Sequence, residues 1–416
     1  MQNTTKQSRP VRQERLVFGS PKIEEAEIAE VVDCLRSGWL STGPRVSRFE
    51  EMFRQYIGSS TAVALNSCSA GLHLSLLAAG IGPGDEVLTS PMTFAATANS
   101  IVHVGARPVF VDVDLPSMTL DPNQLEAKIT PQTKAIVPVH MAGRPCAMDA
   151  IMEIANKHGL WVIEDAAHAL ESVYKGKKIG TIGDSTAFSF YVTKNLVTGE
   201  GGMVTTRHDD WAETIQVLSL HGLSRGAWQR FTNQSKRHYE VISPGFKYNM
   251  MDLQAALGIH QLKRVEEYWK ARRKIWQAYD QAFADLPVVT PAPVSADCKH
   301  AHHLYTLLLD LNKVTVTRDA FRQLLDEEGI GTGIHFTALH LHPYYKETFG
   351  YQRGDFPNAE YLSDRTLSLP LSAKLTEQDV DDVIAAVCKT LRRCSKRMAA
   401  GVFAGLENTP AFSKEG

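Results

Sequence analysis

A lysine at position 194 stands just after an apolar run and ahead of a glycine-rich turn. The segment reads Ser189-Phe190-Tyr191-Val192-Thr193-Lys194-Asn195, followed by Gly199-Glu200-Gly201-Gly202. Lys is almost never buried without a reason. One reason is covalent chemistry, because desolvation and neighbouring charge lower an amine's pKa and make it nucleophilic toward an aldehyde. The alternative is a loop lysine that reaches solvent, and the company of Lys194 must decide between them. Asp165 is a second candidate, at the end of Trp161-Val162-Ile163-Glu164-Asp165-Ala166-Ala167-His168. A buried carboxylate needs a cation or hydrogen-bond donors beside it. A helix cap, an arginine partner and a catalytic role all meet that need. His168, by itself, reads as a satisfied structural histidine. The third candidate is Asn66-Ser67-Cys68-Ser69-Ala70-Gly71-Leu72, small polar residues leading into an apolar helix. Free N–H groups and the positive dipole end at such a helix start suit a phosphate, and an ordinary turn capped by Ser69 accounts for the same residues.

The elements that must position these groups are short apolar runs alternating with helical patterns. The runs are Thr61 to Leu65, Glu86 to Thr89, Pro108 to Val113, Ala135 to Val139, Trp161 to Glu164, Thr186 to Phe190 and Gly202 to Thr205. Apolar throughout, they read as strands covered on both faces, which predicts an α/β fold with a mostly parallel, doubly wound sheet. Ligands bind such sheets outside the carboxyl ends of the strands, where the three candidate segments lie. Asp252 to about Tyr279 reads as a long helix. A strand at Leu304 to Asp310, a helix near Arg318 to Glu328 and a last helix after Thr376 complete a smaller α+β domain. Val380, Val383, Ile384, Val387 and Leu391 form the apolar stripe of that last helix, and Thr376 with Asp379 resembles a capping box. The division expected is a large domain over 16–260, a small C-terminal domain over 261–395 and a tail over 396–416.

Composition narrows the partners. The chain has 416 residues, more than the roughly 250 to 300 at which a single core stops growing. Lys and Arg number 44 against 46 Asp and Glu, so no overall field draws the protein to nucleic acid or an anionic membrane. Lys175-Gly176-Lys177-Lys178 reads as a solvated hairpin turn. The six cysteines are scattered without metal-ligand spacing, as free thiols in a reducing compartment are, and the N-terminus lacks a signal peptide's apolar core. The expectation is a cytoplasmic protein with no metal, no nucleic-acid partner and no membrane span.

In this order and context, the three segments resemble the DegT/StrS-type nucleotide-sugar aminotransferases, a pyridoxal-phosphate family of fold type I. The resemblance extends from about Phe18 to about Leu391. It includes Ser37-Gly38-Trp39-Leu40-Ser41-Thr42-Gly43-Pro44, Pro91-Met92-Thr93-Phe94-Ala95-Ala96-Thr97-Ala98-Asn99, the Gly245 to Gly258 segment and Ser368-Leu369-Pro370-Leu371. It implies that Lys194 carries pyridoxal 5'-phosphate as a Schiff base and moves the proton in catalysis. It implies that Asp165 pairs with the ring nitrogen and His168 contacts the ring's 3-oxygen. Phe94 would stack on the ring, while Ser69, the N–H of Ala70 and Ser189 would hold the phosphate.

Two segments depart from the family pattern. The common small-Gly-Thr turn is Ser67-Cys68-Ser69 here. The common Gly-x-Asn-Tyr-Arg loop, which reaches the other subunit's phosphate, is Gly245-Phe246-Lys247-Tyr248-Asn249, so either Lys247 or Asn249 could make that contact. The loop implies a homodimer with shared active sites. Trp39, Thr42 and Gly43 are similar to the substrate-side glycine loop. His335 and His340, in His335 to Tyr344, are similar to a histidine-rich loop near the sugar, although a domain interface would use them equally well. The implied reaction moves an amino group from glutamate to a keto carbon of a nucleotide-linked deoxysugar. Two other readings share the scaffold. A sugar dehydratase would carry His in place of Lys194, and a non-catalytic regulator would carry an added DNA-binding domain, for which a resemblance beginning by Phe18 leaves no N-terminal room.

Overall fold

A computed structural model describes residues 10–224 and 240–396. The tail expected over 396–416 falls outside the described residues except for Lys396. In chain order the strands are β1 (Thr61–Leu65), β2 (Glu86–Thr89), β3 (Arg107–Phe110), β4 (Thr133–Val137) and β5 (Trp161–Asp165). Next come β6 (Val173–Tyr174), β7 (Lys177–Lys178), β8 (Ser185–Ser189) and β9 (Gly202–Thr206). The last four are β10 (Val288–Val289), β11 (Cys298–Lys299), β12 (Tyr305–Leu309) and β13 (Thr366–Leu369). The main sheet has seven strands in the order β1-β9-β8-β5-β4-β2-β3. Its pairings from β8 through β3 are parallel, and β9 alone runs against its neighbours. The expected strands are all present, with ends shifted by up to three residues.

Helices α1 (Glu25–Ser37), α2 (Pro44–Ile57), α3 (Cys68–Ala78), α4 (Ala95–His103), α5 (Met148–His158), α6 (Asp209–Ser219) and α7 (Asp252–Phe283) surround this sheet. On one face, Phe49 and Phe53 of α2, Ile151 of α5 and Ile259 and Leu262 of α7 pack on Val162, Phe188 and Met203. On the other, Leu72, Leu74 and Leu76 of α3, Ile101 of α4 and Trp211 and Ile215 of α6 pack on Val63, Ile163, Ala187 and Val204. Alternate strand residues thus serve opposite layers, and both layers are apolar, which is why the strands read as continuous apolar runs.

A second core joins Ile275, Tyr279 and Phe283 of α7 to β12, β13, the helix Arg318–Glu327 and the helix Glu377–Cys394. Thr376 caps that last helix as its sequence suggests: its hydroxyl accepts from the Asp379 amide, and an Asp379 carboxylate oxygen accepts from the Thr376 amide. The division expected at residue 260 falls inside α7, which belongs to the first core through Val265 and to the second from Ile275. The N-terminal segment also crosses over, since Val11 and Leu16 pack against the second core and Leu16 bridges Ile330. Lys175 and Gly176 do turn a hairpin between β6 and β7. Lys178, however, lies 3.2 Å above the Tyr56 ring, and burial lowers its amine to a pKa of about 8, so this turn is not simply solvated. No helix among the described residues is long and apolar enough to cross a membrane.

Candidate active site

The carboxyl ends of β1, β2, β4, β5 and β8 converge on one cavity of about 590 Å³. Its walls include Ser67, Cys68 and Ser69 after β1, Thr93 and Phe94 after β2, His140 after β4 and Asp165 and His168 at the end of β5. Ser189 and Lys194 enter from the β8 side, and His335 and Phe336 close it from the second core's side of the chain. Gly202 makes this convergence possible. A Cβ there would lie 2.4 Å from the Ser67 carbonyl carbon and 2.5 Å from the Cys68 nitrogen, so only glycine lets β9 pass behind the turn.

Lys194 is held by its own turn, its amide donating to the Tyr191 carbonyl at 2.8 Å. Burial lowers its amine to a pKa of about 8, against the favourable pull of the nearby Asp165 carboxylate. Lys194 is half-buried and lines the cavity rather than projecting from the protein surface.

Asp165 and Glu164 are adjacent on β5 and have separate sets of partners. Glu164 is fully buried and accepts from the Gly183 amide, the Thr186 hydroxyl and His140 Nε2. The Cys146 amide donates to His140 Nδ1, so the imidazole proton lies on Nε2 and faces Glu164. Asp165 accepts instead from the Thr97 hydroxyl at 2.7 Å and the Ala167 amide at 3.1 Å. Thr97 Oγ1 in turn lies 2.7 Å from Thr93 Oγ1. Among the described residues Asp165 forms no ion pair, so donors rather than an arginine stabilise it inside the protein.

At the phosphate-type turn the helix cap is Ser67 rather than Ser69. The Ser67 hydroxyl accepts from the Ala70 amide at 3.1 Å. The expected use of the Ala70 N–H for a ligand is therefore corrected: that donor is taken by Ser67 and Ala70 does not line the cavity, whereas Ser67, Cys68 and Ser69 at the start of α3 do. The Ser69 and Ser189 hydroxyls line the same wall. His168 accepts from the Ala142 amide at Nδ1, which puts its proton on Nε2. Burial, and then the Lys194 charge, hold the ring neutral far below the usual histidine range. Phe94 is 64% exposed at the cavity mouth, 6.1 Å from the Phe336 ring, a large aromatic face with little covering it. His335 lines the cavity with Nδ1 2.9 Å from Ser368 Oγ, and burial lowers its pKa to about 3.

Other expected residues lie elsewhere. His340 does not line the cavity. It is buried against Phe356, with Nε2 3.0 Å from Glu360, and serves the packing between the two cores. Trp39, Thr42, Gly43, Lys247 and Asn249 form a separate cluster. Trp39 donates to the Thr42 carbonyl, Thr42 donates to the Met250 carbonyl, and Asn249 donates to the Thr42 hydroxyl. Gly43 sits where a Cβ would strike the Trp39 indole. Lys247 Nζ reaches Asn249 Oδ1 at 2.7 Å and remains exposed. None of the five lines the cavity of its own chain.

Behind the cavity lies a polar layer that no local motif announces. The Asn195 side chain, next to Lys194, donates to Glu171 and to the Ala301 carbonyl, and its oxygen lies 2.9 Å from His303 Nδ1. Glu171 is paired with Arg272 of α7, and the His303 ring lies 4.5 Å from that of His168. The only sequence signal for it is the density of His in His300-Ala301-His302-His303. Among the described residues no group of three or more His, Cys, Asp or Glu is placed to hold a metal ion.

Comparison with known proteins decides the family. Residues 21–388 match the model of the DegT/DnrJ/EryC1/StrS aminotransferase family. The chain belongs to that family. Within it, the spore coat polysaccharide biosynthesis protein SpsC of Bacillus subtilis is 54% identical over 373 residues, covering 89% of this chain and 96% of SpsC. Spr1654 of Streptococcus pneumoniae, assigned as a sugar aminotransferase, superposes in its PLP form with a TM-score of 0.84 and 34% identity, over 91% of this chain and 99% of that one. PseC of Helicobacter pylori, an aminotransferase involved in the biosynthesis of pseudoaminic acid, superposes with a TM-score of 0.85 and 28% identity, over 91% of this chain and 100% of that one. This DegT/DnrJ/EryC1/StrS member is accordingly an aminotransferase, and the dehydratase and regulator readings have no observation in their favour.

Proposed function

We propose that this aminotransferase uses pyridoxal phosphate, held by Lys194, to move an amino group from glutamate to a keto carbon of a nucleotide-linked deoxysugar. The observation that carries the reading is the half-buried Lys194, its amine lowered by burial to a pKa of about 8, in one cavity with Asp165 and the start of α3. The residues present fit the cofactor. The Cys68 and Ser69 amides with the Ser69 and Ser189 hydroxyls suit its phosphate, and Asp165 suits a protonated ring nitrogen. His168 offers a neutral Nε2–H to the ring oxygen, and the uncovered face of Phe94 suits stacking. When bound, pyridoxal phosphate supplies an aldehyde that takes up the amino group and a ring that accepts electrons from the reacting carbon. The protein's part is to hold the ring, exclude water and move a proton at Lys194 Nζ. SpsC and PseC, named for polysaccharide and pseudoaminic acid biosynthesis, support a sugar acceptor.

The same reading makes the enzyme a homodimer in a reducing cytoplasm. Val241, Ile242, Met251 and Leu40 are exposed apolar residues on the Lys247 loop and its neighbour, and Phe94 and Tyr191 are exposed at the cavity mouth. A second copy would cover such a surface. Of the two candidates for the contact between subunits, Lys247 fits better, because Asn249 is buried and committed to Thr42 and Lys247.

Adding L-glutamate to the cofactor-loaded protein should convert its visible absorption band to the near-ultraviolet band of the pyridoxamine form. A loaded protein that ignores glutamate and every other amino donor would refute the function. A pH prediction accompanies it. Only the neutral amine attacks an aldehyde, so with a Lys194 pKa of about 8 the rate at which the unloaded protein takes up the cofactor should rise through pH 8 and level off about one unit above. Stopped-flow absorption measures this, and a rate still climbing at pH 10 would mean a solvated amine.

A further inference from the structure

Asp165 has two internal donors, and one of them stands in a directed chain. Thr97 occupies the first turn of α4, and Thr93 lies four residues before it, ahead of the helix. Both side chains are 1% exposed, so neither hydroxyl has bulk water as a partner. The distances are 2.7 Å from Thr93 Oγ1 to Thr97 Oγ1 and 2.7 Å from Thr97 Oγ1 to Asp165 Oδ2. A hydroxyl carries one proton, and an ionised carboxylate can only accept. The Ala167 amide already donates to the other carboxylate oxygen, Oδ1, which leaves Oδ2 to Thr97. Thr97 must then donate to Asp165, and its oxygen is left to accept from Thr93. The polarity of the chain is fixed: Thr93 to Thr97 to Asp165.

We propose that Thr97 is a positioning residue for amino transfer, its hydroxyl oriented by Thr93 so that the Asp165 carboxylate is held in a single orientation toward the cofactor's ring nitrogen. The inference rests on the function proposed above. Hydrogen bonds in series strengthen one another in a low-dielectric interior, so Thr93 acts on Asp165 through Thr97 and must matter less than Thr97 itself. Valine at 97 keeps the shape and removes the donor, whereas serine keeps the donor and removes a methyl group.

The test loads wild type, T97V, T97S and T93V with pyridoxal phosphate labelled with ¹⁵N in the ring and records the nitrogen resonance. Losing a donor raises the carboxylate's hold on the shared proton. The T97V resonance should therefore move toward the unprotonated position, with T93V moving less and T97S staying near wild type. In parallel, kcat for T97V should fall about tenfold with the KM for glutamate little changed, the loss expected for one hydrogen bond to a charged group. A T97V resonance that coincides with wild type, or a T93V displacement as large as that of T97V, would overturn the proposal. Should T97V fail to hold the cofactor, T93V decides: a partial displacement supports the chain, and an unmoved resonance overturns it. A wild-type protein that takes up no cofactor would instead sink the functional reading, and this inference with it.

Discussion

Replacing Lys194 by alanine should lower the amino-transfer rate by at least about 10⁴-fold and abolish the visible absorption of the loaded protein. Two roles are lost together: the covalent attachment of the cofactor and the positioned acid and base, which alone accounts for about 10²- to 10⁴-fold. The fold should survive. Burial depresses the Lys194 pKa below its unfolded value of 10.5. A base whose folded pKa is depressed costs stability wherever its unfolded form is charged. At pH 7 the wild type bears this cost and the alanine variant does not, and the difference fades as pH rises from about 8 to 10.5. The unloaded variant should thus melt at the wild-type temperature or above it at pH 7. Steady-state kinetics, absorption spectra and a thermal melt check all three statements. A variant that keeps its visible band would remove Lys194 from the chemistry.

The second large effect belongs to Asp165. Substitution by alanine should cost about 10²- to 10³-fold in kcat, the range for removing one preorganised electrostatic contact from an active site. Cofactor uptake should persist, because Lys194 and the helix start of α3 do not depend on the Asp165 carboxylate. This separates the two residues: K194A loses the visible band, and D165A keeps a band without turnover. A D165A enzyme within tenfold of wild-type kcat would show that the ring nitrogen does not need this carboxylate. Two donors are also stranded in D165A, the Thr97 hydroxyl and the Ala167 amide. Some loss of stability is expected from them, and kcat should accordingly be measured well below the melting temperature.

Much of this arrangement is legible in the sequence. The strand runs could be read because both faces of the sheet are covered, so Val162, Ile163, Phe188 and Val204 are apolar without alternation. Lys194, Asp165, His168, Ser69, Phe94 and Ser189 all line one cavity because strand ends in a doubly wound sheet converge. The details that escaped depend on partners distant in sequence. Nothing local distinguishes Ser67 from Ser69 as the cap of α3, since both are small hydroxyl residues at a strand-to-helix turn, and the backbone conformation at 67 decides. Thr97 carries no local sign of a link to Asp165, which the fold brings to it from 68 residues away. His335 and His340 share a loop, and nothing in the sequence separates them. The chain between them, however, turns His335 toward the cavity and His340 toward Glu360. The reverse holds for Glu171, Asn195, His303 and Arg272, which are scattered in sequence and contiguous in space.

Helix α7 bears on how the whole molecule behaves. Its 32 residues span about 48 Å, and its two halves contribute side chains to different interiors. Melting either interior would strip half the helix of its packing, and Arg272, from the middle of the same helix, would then abandon the buried charge of Glu171. An uncompensated buried charge is costly enough to propagate that loss across the cleft. The two lobes are therefore bound into one cooperative unit. A cut within α7 would not yield two stable fragments, and a ligand that grips only the β-sheet side protects the far lobe as well.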